Sequence, residues 1–388
     1  MLFLLFLPEY LRKRDRNRVK ENDESFFMHM HLMKIKYFLL GPKTSICMFS
    51  YDTYKPHLSK YFERVWDYKK ADIIIISHAN DIFDNLKCAL PIITNPSLKI
   101  FLLSEEPLWD SMCEHTLNPK LKKIDLDFPD FNLEINLINH LTSDLFNYKE
   151  IPFFLTTNKE YVTNYILSVR HLLFINEKNI LSYWENKDYD FCAIEGNTIG
   201  NSIFRFKSSS DIPILSQERS KFCLKMHEDL DKTFIFGRGW ERLSQDATYS
   251  ENLRHTIYSS RKSCFWHKEK LHFLQEKARF LMSSENTMCK NYITEKFFDG
   301  PATLSIPLFI AKQDNEHYKK IKGVNLLNFN EYNISIKDFI LEQVNPHEVL
   351  LHNLNYAKRI FSGNIFDKID QEARERCENL KYLIESKL

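Results

Sequence analysis

The sequence predicts an α/β protein with two Rossmann-like domains that face a cleft and helices at its C-terminus. Its 388 residues are enough for roughly two domains of ~150 residues plus connecting helices. Apolar runs alternate with segments of helical periodicity in two separate series, which is typical of βαβ units. With 53 basic and 52 acidic side chains and 44% hydrophobic residues, the composition excludes a disordered chain and a nucleic-acid-binding polycation.

The first series of predicted strands lies in the N-terminal half of the chain. Its apolar runs are KIKYFLL (34–40), ADIIIIS (71–77) and KIFLLSEE (99–106). The run Ile73–Ile76 is continuous and β-branched, as expected of a strand that is covered on both faces. We therefore predict a mostly parallel sheet in this half.

A second series follows after a change of pattern near IPFFLTTN (151–158). Its predicted strands are DYDFCAI (188–194), TFIFG (233–237), ARFLMSS (278–284) and SIPLFIA (305–311). The segment 217–230 carries Phe222, Met226 and Leu230 at helical spacing, which favours a helix with a buried face.

The two series divide the chain into five segments. We expect an N-terminal extension over 1–32, a first domain over 33–150, a linker over 151–188, a second domain over 189–330 and a helical segment over 331–388. The extension begins with seven apolar residues, about a third of the ~20 that a membrane span needs, and six basic residues follow between 12 and 20. It is either a leader, a basic segment that touches a membrane, or an artefact of the chosen start site.

Metal sites and glycine-rich phosphate loops are not predicted. The eight cysteines form no CxxC pair and the fourteen histidines form no zinc-type spacing, so we expect buried, reduced thiols. Three DxD pairs occur by coincidence, at Asp125/Asp127, Asp188/Asp190 and Asp229/Asp231. Only 8 glycines are present and no GxGxxG stands among them, so a phosphate would be held by cationic side chains and helix ends.

The most informative stretch is FLMSSENTMCKNYITEKFFDGPATLSIPLFIA, residues 280–311. A strand is predicted to end at Ser283, and a polar loop then leads to Thr294 as the N-cap of a helix. Lys296 would lie in the first turn, where the positive end of the helix dipole disfavours a cation unless an anion lies between them. A bound phosphate would remove this conflict.

This stretch resembles the signature of the α-1,3/4-fucosyltransferase family, glycosyltransferase family 10. Its members carry a stretch like FENS, then DYVTEK, then a VPV strand, and the match runs from Glu285 to Pro307. The resemblance implies a GT-B-like fold in which 33–150 binds the acceptor and 189–330 binds the sugar nucleotide. It implies these donor-binding roles: a hydrogen bond from Asn286, packing near the nucleotide by Tyr292, ribose binding by Glu295 and diphosphate pairing by Lys296.

The family also carries an arginine three residues before a phenylalanine on the donor domain. Arg219 with Phe222 matches this spacing, and Arg205 is the fallback. Departures from the pattern put the identity of the sugar in question more than the fold; they are Ser284, Gly300, Pro301 and Ala311.

The general base is predicted in the first domain. Glu105 and Glu106 end the run KIFLLSEE, and residues at the carboxyl end of a parallel strand face the crevice. The family has a catalytic glutamate in such a strand-end loop, which corresponds best to Glu105, with Glu106 as the alternative.

The predicted function is the inverting transfer of a sugar to a hydroxyl of a lipopolysaccharide or capsular glycan, without a metal or another cofactor. The resemblance implies that the sugar is fucose and that its donor is GDP-fucose. A transferase with a different nucleotide sugar and an inactive sugar-nucleotide-binding homologue stay open. A metal-dependent nuclease built on Glu185 and Lys187 is a remote alternative. We expect a cytoplasmic, bacterial-type enzyme, since the Golgi members carry a signal anchor and stem that this chain lacks. Its partners would be a nucleotide sugar, a glycan and, through the basic residues 12–20, an anionic inner membrane face, but no nucleic acid.

Overall fold

The computed structural model contains two six-stranded sheets. The residues that it describes are 34–41, 46–78, 80–83, 86–106, 123–128, 131–199, 214–240, 257–258, 266–312 and 315–388. Arg205 and the basic segment 12–20 lie outside them, so the predictions that rest on these residues stay predictions. None of the helices within these ranges is long and apolar enough to cross a membrane.

The first sheet is parallel except at one edge. Its strands are β1 (Ile35–Leu39), β2 (Phe62–Arg64), β3 (Ile73–Ile76), β4 (Lys99–Leu103), β5 (Lys123–Phe128) and β6 (Phe131–Ile138). They are arranged in the order β2-β1-β3-β4-β6-β5, and only the pair β5–β6 is antiparallel. The predicted strands are confirmed as β1, β3 and β4, whereas β2 and the β5–β6 hairpin were not predicted.

The second sheet is entirely parallel. Its strands are β7 (Tyr189–Ile194), β8 (Thr233–Phe236), β9 (Ile257–Tyr258), β10 (Ala278–Met282), β11 (Ile306–Phe309) and β12 (Val324–Asn325). The order β12-β11-β10-β7-β8-β9 is the strand order of a dinucleotide-binding Rossmann fold. In such a sheet the ligand crevice lies where the order reverses, which is here at the carboxyl ends of β7 and β10.

Helices cover both sheets. In chain order they are α1 (Lys55–Leu58), α2 (Asn80–Phe83), α3 (Leu86–Ile93), α4 (Phe153–Thr157), α5 (Lys159–Leu172), α6 (Ile180–Glu185), α7 (Ser216–Asp229), α8 (Trp266–Lys277), α9 (Glu295–Thr303), α10 (Ile336–Gln343), α11 (Pro346–Ile360) and α12 (Ile365–Glu385). The predicted core face of α7 is confirmed at Phe222 and Met226, which are buried, whereas Leu230 follows the end of the helix and is half-buried.

Residues 151–188 contain three of these helices, and α5 packs against α8 and α9 beside the second sheet. The last helix, α12, returns to the first sheet instead. Its apolar face, with Ala373, Cys377 and Leu380, joins the core formed by β1, β3 and β4. The guanidinium of Arg376 is buried there and donates to the carbonyl oxygen of Ile151 at 3.0 Å. The chain end thus fastens the connecting segment to the first sheet.

Candidate active site

A buried ion pair occupies the crevice of the second sheet. Glu195 follows β7, Ser284 follows β10, and Arg219 reaches both from α7. The Arg219 Nε lies 2.8 Å from Glu195 Oε2, and its Nη1 donates to the Ser284 carbonyl oxygen at 3.0 Å. Burial raises the pKa of Glu195, although the charge of Arg219 opposes this rise. One edge of the guanidinium is therefore used to hold the two strand ends together.

The signature loop begins at this crevice and is fastened to α7. The carbonyl oxygen of Asn286 accepts a hydrogen bond from the Leu215 amide at 2.8 Å. The side-chain Oδ1 of Asn286 is buried and has no hydrogen-bond partner among the residues that the structure describes. Because an unpaired buried acceptor is costly, this oxygen is suited to accept a hydrogen bond from a ligand.

The start of α9 combines an acidic and a basic group. Thr294 is the N-cap residue, as predicted, but its side chain does not cap the helix. Instead Glu285 accepts hydrogen bonds from the Thr294 amide and hydroxyl, both at 2.7 Å. Lys296 Nζ lies 3.0 Å from Glu295 Oε1 and 3.8 Å from Glu285 Oε2. The conflict between Lys296 and the helix dipole is therefore already relieved by carboxylates of the protein.

A second set of buried charged residues links α9 to the neighbouring helix α8. The buried Asp299 lies one turn after Glu295, and its Oδ2 is 2.6 Å from Nζ of the buried Lys270 on α8. Tyr165 donates to the other oxygen of Asp299 at 2.7 Å. Burial alone would raise the pKa of Glu295, but the charges of Lys296 and Lys270 lower it to about 2. Glu295 is therefore ionised at neutral pH.

The crevice of the first sheet holds the predicted base. Glu105 and Glu106 follow β4, and the Tyr51 hydroxyl donates to Glu105 Oε1. Burial raises the pKa of Glu105 well above its ordinary value; the hydrogen bond from Tyr51 lowers it and the charge of Glu106 raises it further. A carboxylate with a raised pKa is a better proton acceptor near neutral pH.

His140 fixes the backbone of this strand end. It follows β6, and its Nε2 donates to the carbonyl oxygen of Glu105 at 3.0 Å. Burial lowers the pKa of His140 to about 3, so the imidazole is neutral. Its ring stacks on Phe146, with ring centroids 4.1 Å apart.

The two crevices meet at Tyr292. Its hydroxyl donates to Glu106 Oε2 at 3.4 Å, and its ring lies edge-on to His140 with centroids 5.4 Å apart. The preceding Asn291 adopts a left-handed backbone with φ 62° and donates its amide to His317 Nε2 at 3.2 Å. The signature loop of the second sheet therefore contacts the carboxylate of Glu106 at a strand end of the first sheet.

The structure thus brings the predicted residues Glu105, Glu106, Asn286, Tyr292, Glu295, Lys296 and Arg219 to the facing ends of the two sheets. The departures from the signature fit into these elements. Ser284 Oγ accepts the Ile310 amide at 2.8 Å, and α9 continues through Gly300 and Pro301. A Cβ on Gly300 would lie 3.2 Å from Pro307 Cβ, so glycine permits α9 to pack closely on β11.

Lys187 contradicts the nuclease interpretation. Its side chain is 2% exposed, and its Nζ donates to the carbonyl oxygens of Leu274, Ala278, Thr303 and Leu304 at 2.8–3.2 Å. It precedes β7 and so lies at the amino end of the sheet, opposite the crevice. Asp188 and Asp190 at the same end pair with Lys277 and Arg279.

Sequence reasoning missed several residues of the site. Glu195 and Glu285 each follow a strand at the point where the strand order reverses, so the topology would have indicated them. Tyr51, His140 and Lys270 lie far from the signature in sequence, and only the folded chain brings them to Glu105 or Asp299.

Residues 217–345 match the family model described as glycosyltransferase family 10 (fucosyltransferase) C-term. The search of curated proteins found no match. A crystal structure of an alpha1,3-fucosyltransferase with GDP-fucose is 13% identical, with 89% of this chain and 91% of that chain covered and a TM-score of 0.40. A second alpha1,3-fucosyltransferase structure is 13% identical, with coverage of 89% and 90% and a TM-score of 0.41.

Two mostly parallel sheets whose carboxyl ends meet at one cleft define a GT-B-like α/β fold, so the predicted fold class is confirmed. The resemblance that the signature predicted is also confirmed over residues 217–345, which match the model of the glycosyltransferase family 10 (fucosyltransferase) C-terminal domain.

Proposed function

We propose that this chain is an inverting fucosyltransferase that uses GDP-fucose and transfers the sugar to a hydroxyl of a cell-surface glycan, without a metal. The main support for the proposal is the hydrogen bond from Tyr292 to Glu106, because it joins the signature loop to the strand end that contains Glu105. The family description of residues 217–345 supports fucose as the sugar.

In the proposed mechanism the two sheets contribute different charges. Glu105 takes the proton of the acceptor hydroxyl as that oxygen bonds to the anomeric carbon, and the bond from that carbon to the diphosphate breaks on the opposite face. Such general-base help typically contributes ~10²–10⁴ in rate. The raised pKa of Glu105 supports this role.

The second sheet would hold the leaving group. Lys296 and Arg219 supply positive charge where negative charge develops on the diphosphate. Arg219 would reach it with Nη2, because Nε and Nη1 are engaged by Glu195 and Ser284. The ionised Glu295 would accept hydrogen bonds from the ribose hydroxyls, and Asn286 Oδ1 would accept one from the nucleotide sugar.

A screen of the purified chain against nucleotide sugars tests the proposal. We expect acceptor-dependent release of GDP from GDP-fucose, with a product whose anomeric configuration, read by NMR, is opposite to that of the donor. The release should persist in EDTA. Activity with UDP-sugars and none with GDP-fucose would refute the donor, retention of configuration would refute the mechanism, and complete loss in EDTA would refute metal independence.

The cellular setting is a separate part of the proposal. We propose a bacterial-type enzyme that acts on lipopolysaccharide or capsular glycan at the cytoplasmic face of a membrane. The basic residues 12–20 would bind the anionic lipids of that face. Sedimentation with anionic vesicles should then weaken when the chain begins at Met33, and unchanged sedimentation would exclude a role of that segment.

A further inference from the structure

We propose that Tyr51 is a positioning residue for the catalytic base: its phenol holds one oxygen of Glu105 so that the other oxygen is directed at the acceptor hydroxyl. This inference rests on the proposed role of Glu105 as the base. It assigns a function to a loop of the first sheet that has no part in the family signature of residues 285–307.

The geometry of the loop after β1 supports this assignment. A short 3₁₀ helix, Met48–Ser50, leads into Tyr51, and the carbonyl oxygen of Tyr51 accepts hydrogen bonds from the amides of Tyr54 and Lys55 at the start of α1. The backbone of Tyr51 is therefore fixed between two helical segments. Its hydroxyl donates to Glu105 Oε1.

Glu105 is held at two points that leave its second oxygen available. His140 fixes the backbone through the carbonyl oxygen at 3.0 Å, and Tyr51 fixes Oε1. Within the parts of the chain that the structure describes, Oε2 has no hydrogen-bond partner. A carboxylate held at its backbone and at one oxygen has few side-chain rotamers left, which is the preorganisation that proton transfer requires.

The phenol can remain in place throughout the reaction. When Oε2 takes the proton, Oε1 becomes the carbonyl oxygen of a carboxylic acid and still accepts the Tyr51 hydrogen bond. Burial and the neighbouring Glu105 charge raise the pKa of Tyr51 above its ordinary value, so the phenol keeps its own proton. Tyr51 therefore orients the base without exchanging a proton.

The hydrogen bond from Tyr51 also lowers the pKa of Glu105. The groups that face Glu105 are the Cys47 thiol, the Tyr51 phenol, the Glu106 carboxylate and the neutral His140. Of these, Tyr51 stabilises the charged form of Glu105. Its removal should raise the pKa of Glu105 and move the acidic limb of the rate profile to higher pH.

Tyr51→Phe is the test, and Tyr61→Phe is its matched control. Tyr61 also donates a phenol hydrogen bond to a carboxylate, to Glu378 at 3.5 Å, but away from the cleft. With GDP-fucose and an oligosaccharide acceptor, we expect Tyr51→Phe to lower turnover roughly tenfold or more and to shift the acidic limb of the pH profile upward. The affinity for GDP, measured by calorimetry, should not change, and Tyr61→Phe should behave like the unmodified chain.

A double-variant cycle separates positioning from a general structural effect. If Tyr51 acts only through Glu105, the double variant Tyr51→Phe/Glu105→Gln is no slower than Glu105→Gln alone. An equal loss in both backgrounds would overturn the inference while leaving Glu105 as the base. If Glu105→Gln is fully active, the proposed function fails first.

Carboxyl NMR of ¹³C-labelled glutamate provides a measurement that does not depend on turnover. The Glu105 resonance is assigned by its absence in Glu105→Gln. It should titrate at higher pH in Tyr51→Phe than in the unmodified chain and at an unchanged pH in Tyr61→Phe. An unchanged titration in Tyr51→Phe would overturn the inference.

Discussion

Replacing Lys270 by methionine tests the buried ion pair that Lys270 of α8 forms with Asp299 of α9. Lys270 and Asp299 are 7% and 1% exposed, and the Nζ–Oδ2 distance is 2.6 Å. Removal of one partner of such a buried pair costs ~3–5 kcal/mol. Because Tyr165 still donates to Asp299, we expect the lower end, a loss of ~3 kcal/mol in the free energy of unfolding.

The pH dependence of this loss has a definite sign. The pKa values of Glu295 and Asp299 are lowered in the folded state, in part by Lys270. The stability that these carboxylates contribute is therefore complete above their ordinary pKa of about 4 and is lost as the pH falls through the lowered values. The difference between Lys270→Met and the unmodified chain should be largest at neutral pH and should shrink below about pH 4.

Urea denaturation at pH 7 and at pH 3.5 provides the assay, with Lys268→Met as the control. Lys268 is an exposed residue of the same helix, so its variant should differ by no more than ~0.5 kcal/mol. A loss below ~1 kcal/mol for Lys270→Met at pH 7, or a loss that does not shrink with pH, would refute this account of the pair.

Two further predictions concern the first sheet. The pKa of His140 falls from its ordinary 6.5 to about 3 in the folded state, so its contribution to stability is complete above pH 6.5 and is lost as the pH falls, at up to ~1.4 kcal/mol per pH unit. His140→Gln should make the free energy of unfolding depend less steeply on pH between pH 7 and pH 5. An unchanged pH dependence would contradict this prediction. Arg376→Met should destabilise the docking of α12 by ~2–4 kcal/mol and make this helix sensitive to limited proteolysis, whereas the variant of the exposed Arg374 should not.

The sequence predicted the sheets best where the strands are buried. The run Ile73–Ile76 and β11 are buried throughout, β10 is buried at all but one residue, and β7 is buried at its three central residues. Hydrophobicity alone therefore identifies these strands. The hairpin of β5 and β6 was missed because KIDLDF and FNLEINLI alternate polar and apolar residues and so lack a continuous run. The strand β2 pairs with β1 through only three residues, and a strand that short has little pattern to detect.

The site was predictable where its residues are close in sequence. Asn286 to Lys296 lie within one loop and the first turn of a helix, so a motif identifies them together. Glu105 was predicted from its place at the end of β4 together with the family resemblance, which implies a catalytic glutamate in such a loop. The carboxylates of Glu195 and Glu285 required the strand order, because only the topology places the ends of β7 and β10 side by side.

We propose that the first sheet supplies the base and that the second sheet supplies the cations for the diphosphate, and a comparison of Glu105→Gln with Lys296→Ala tests this claim. Calorimetry with GDP and steady-state kinetics are applied to both variants, with the exposed Glu63→Gln as the control. Glu105→Gln should lower turnover by ~10² or more with the GDP affinity unchanged, because an amide cannot accept the proton. Lys296→Ala should weaken GDP binding by ~1.5–3 kcal/mol, the contribution of a charge-assisted hydrogen bond, and lower turnover as well. Full turnover in both Glu105→Gln and Glu106→Gln, or a loss of GDP affinity in Glu105→Gln, would contradict the claim.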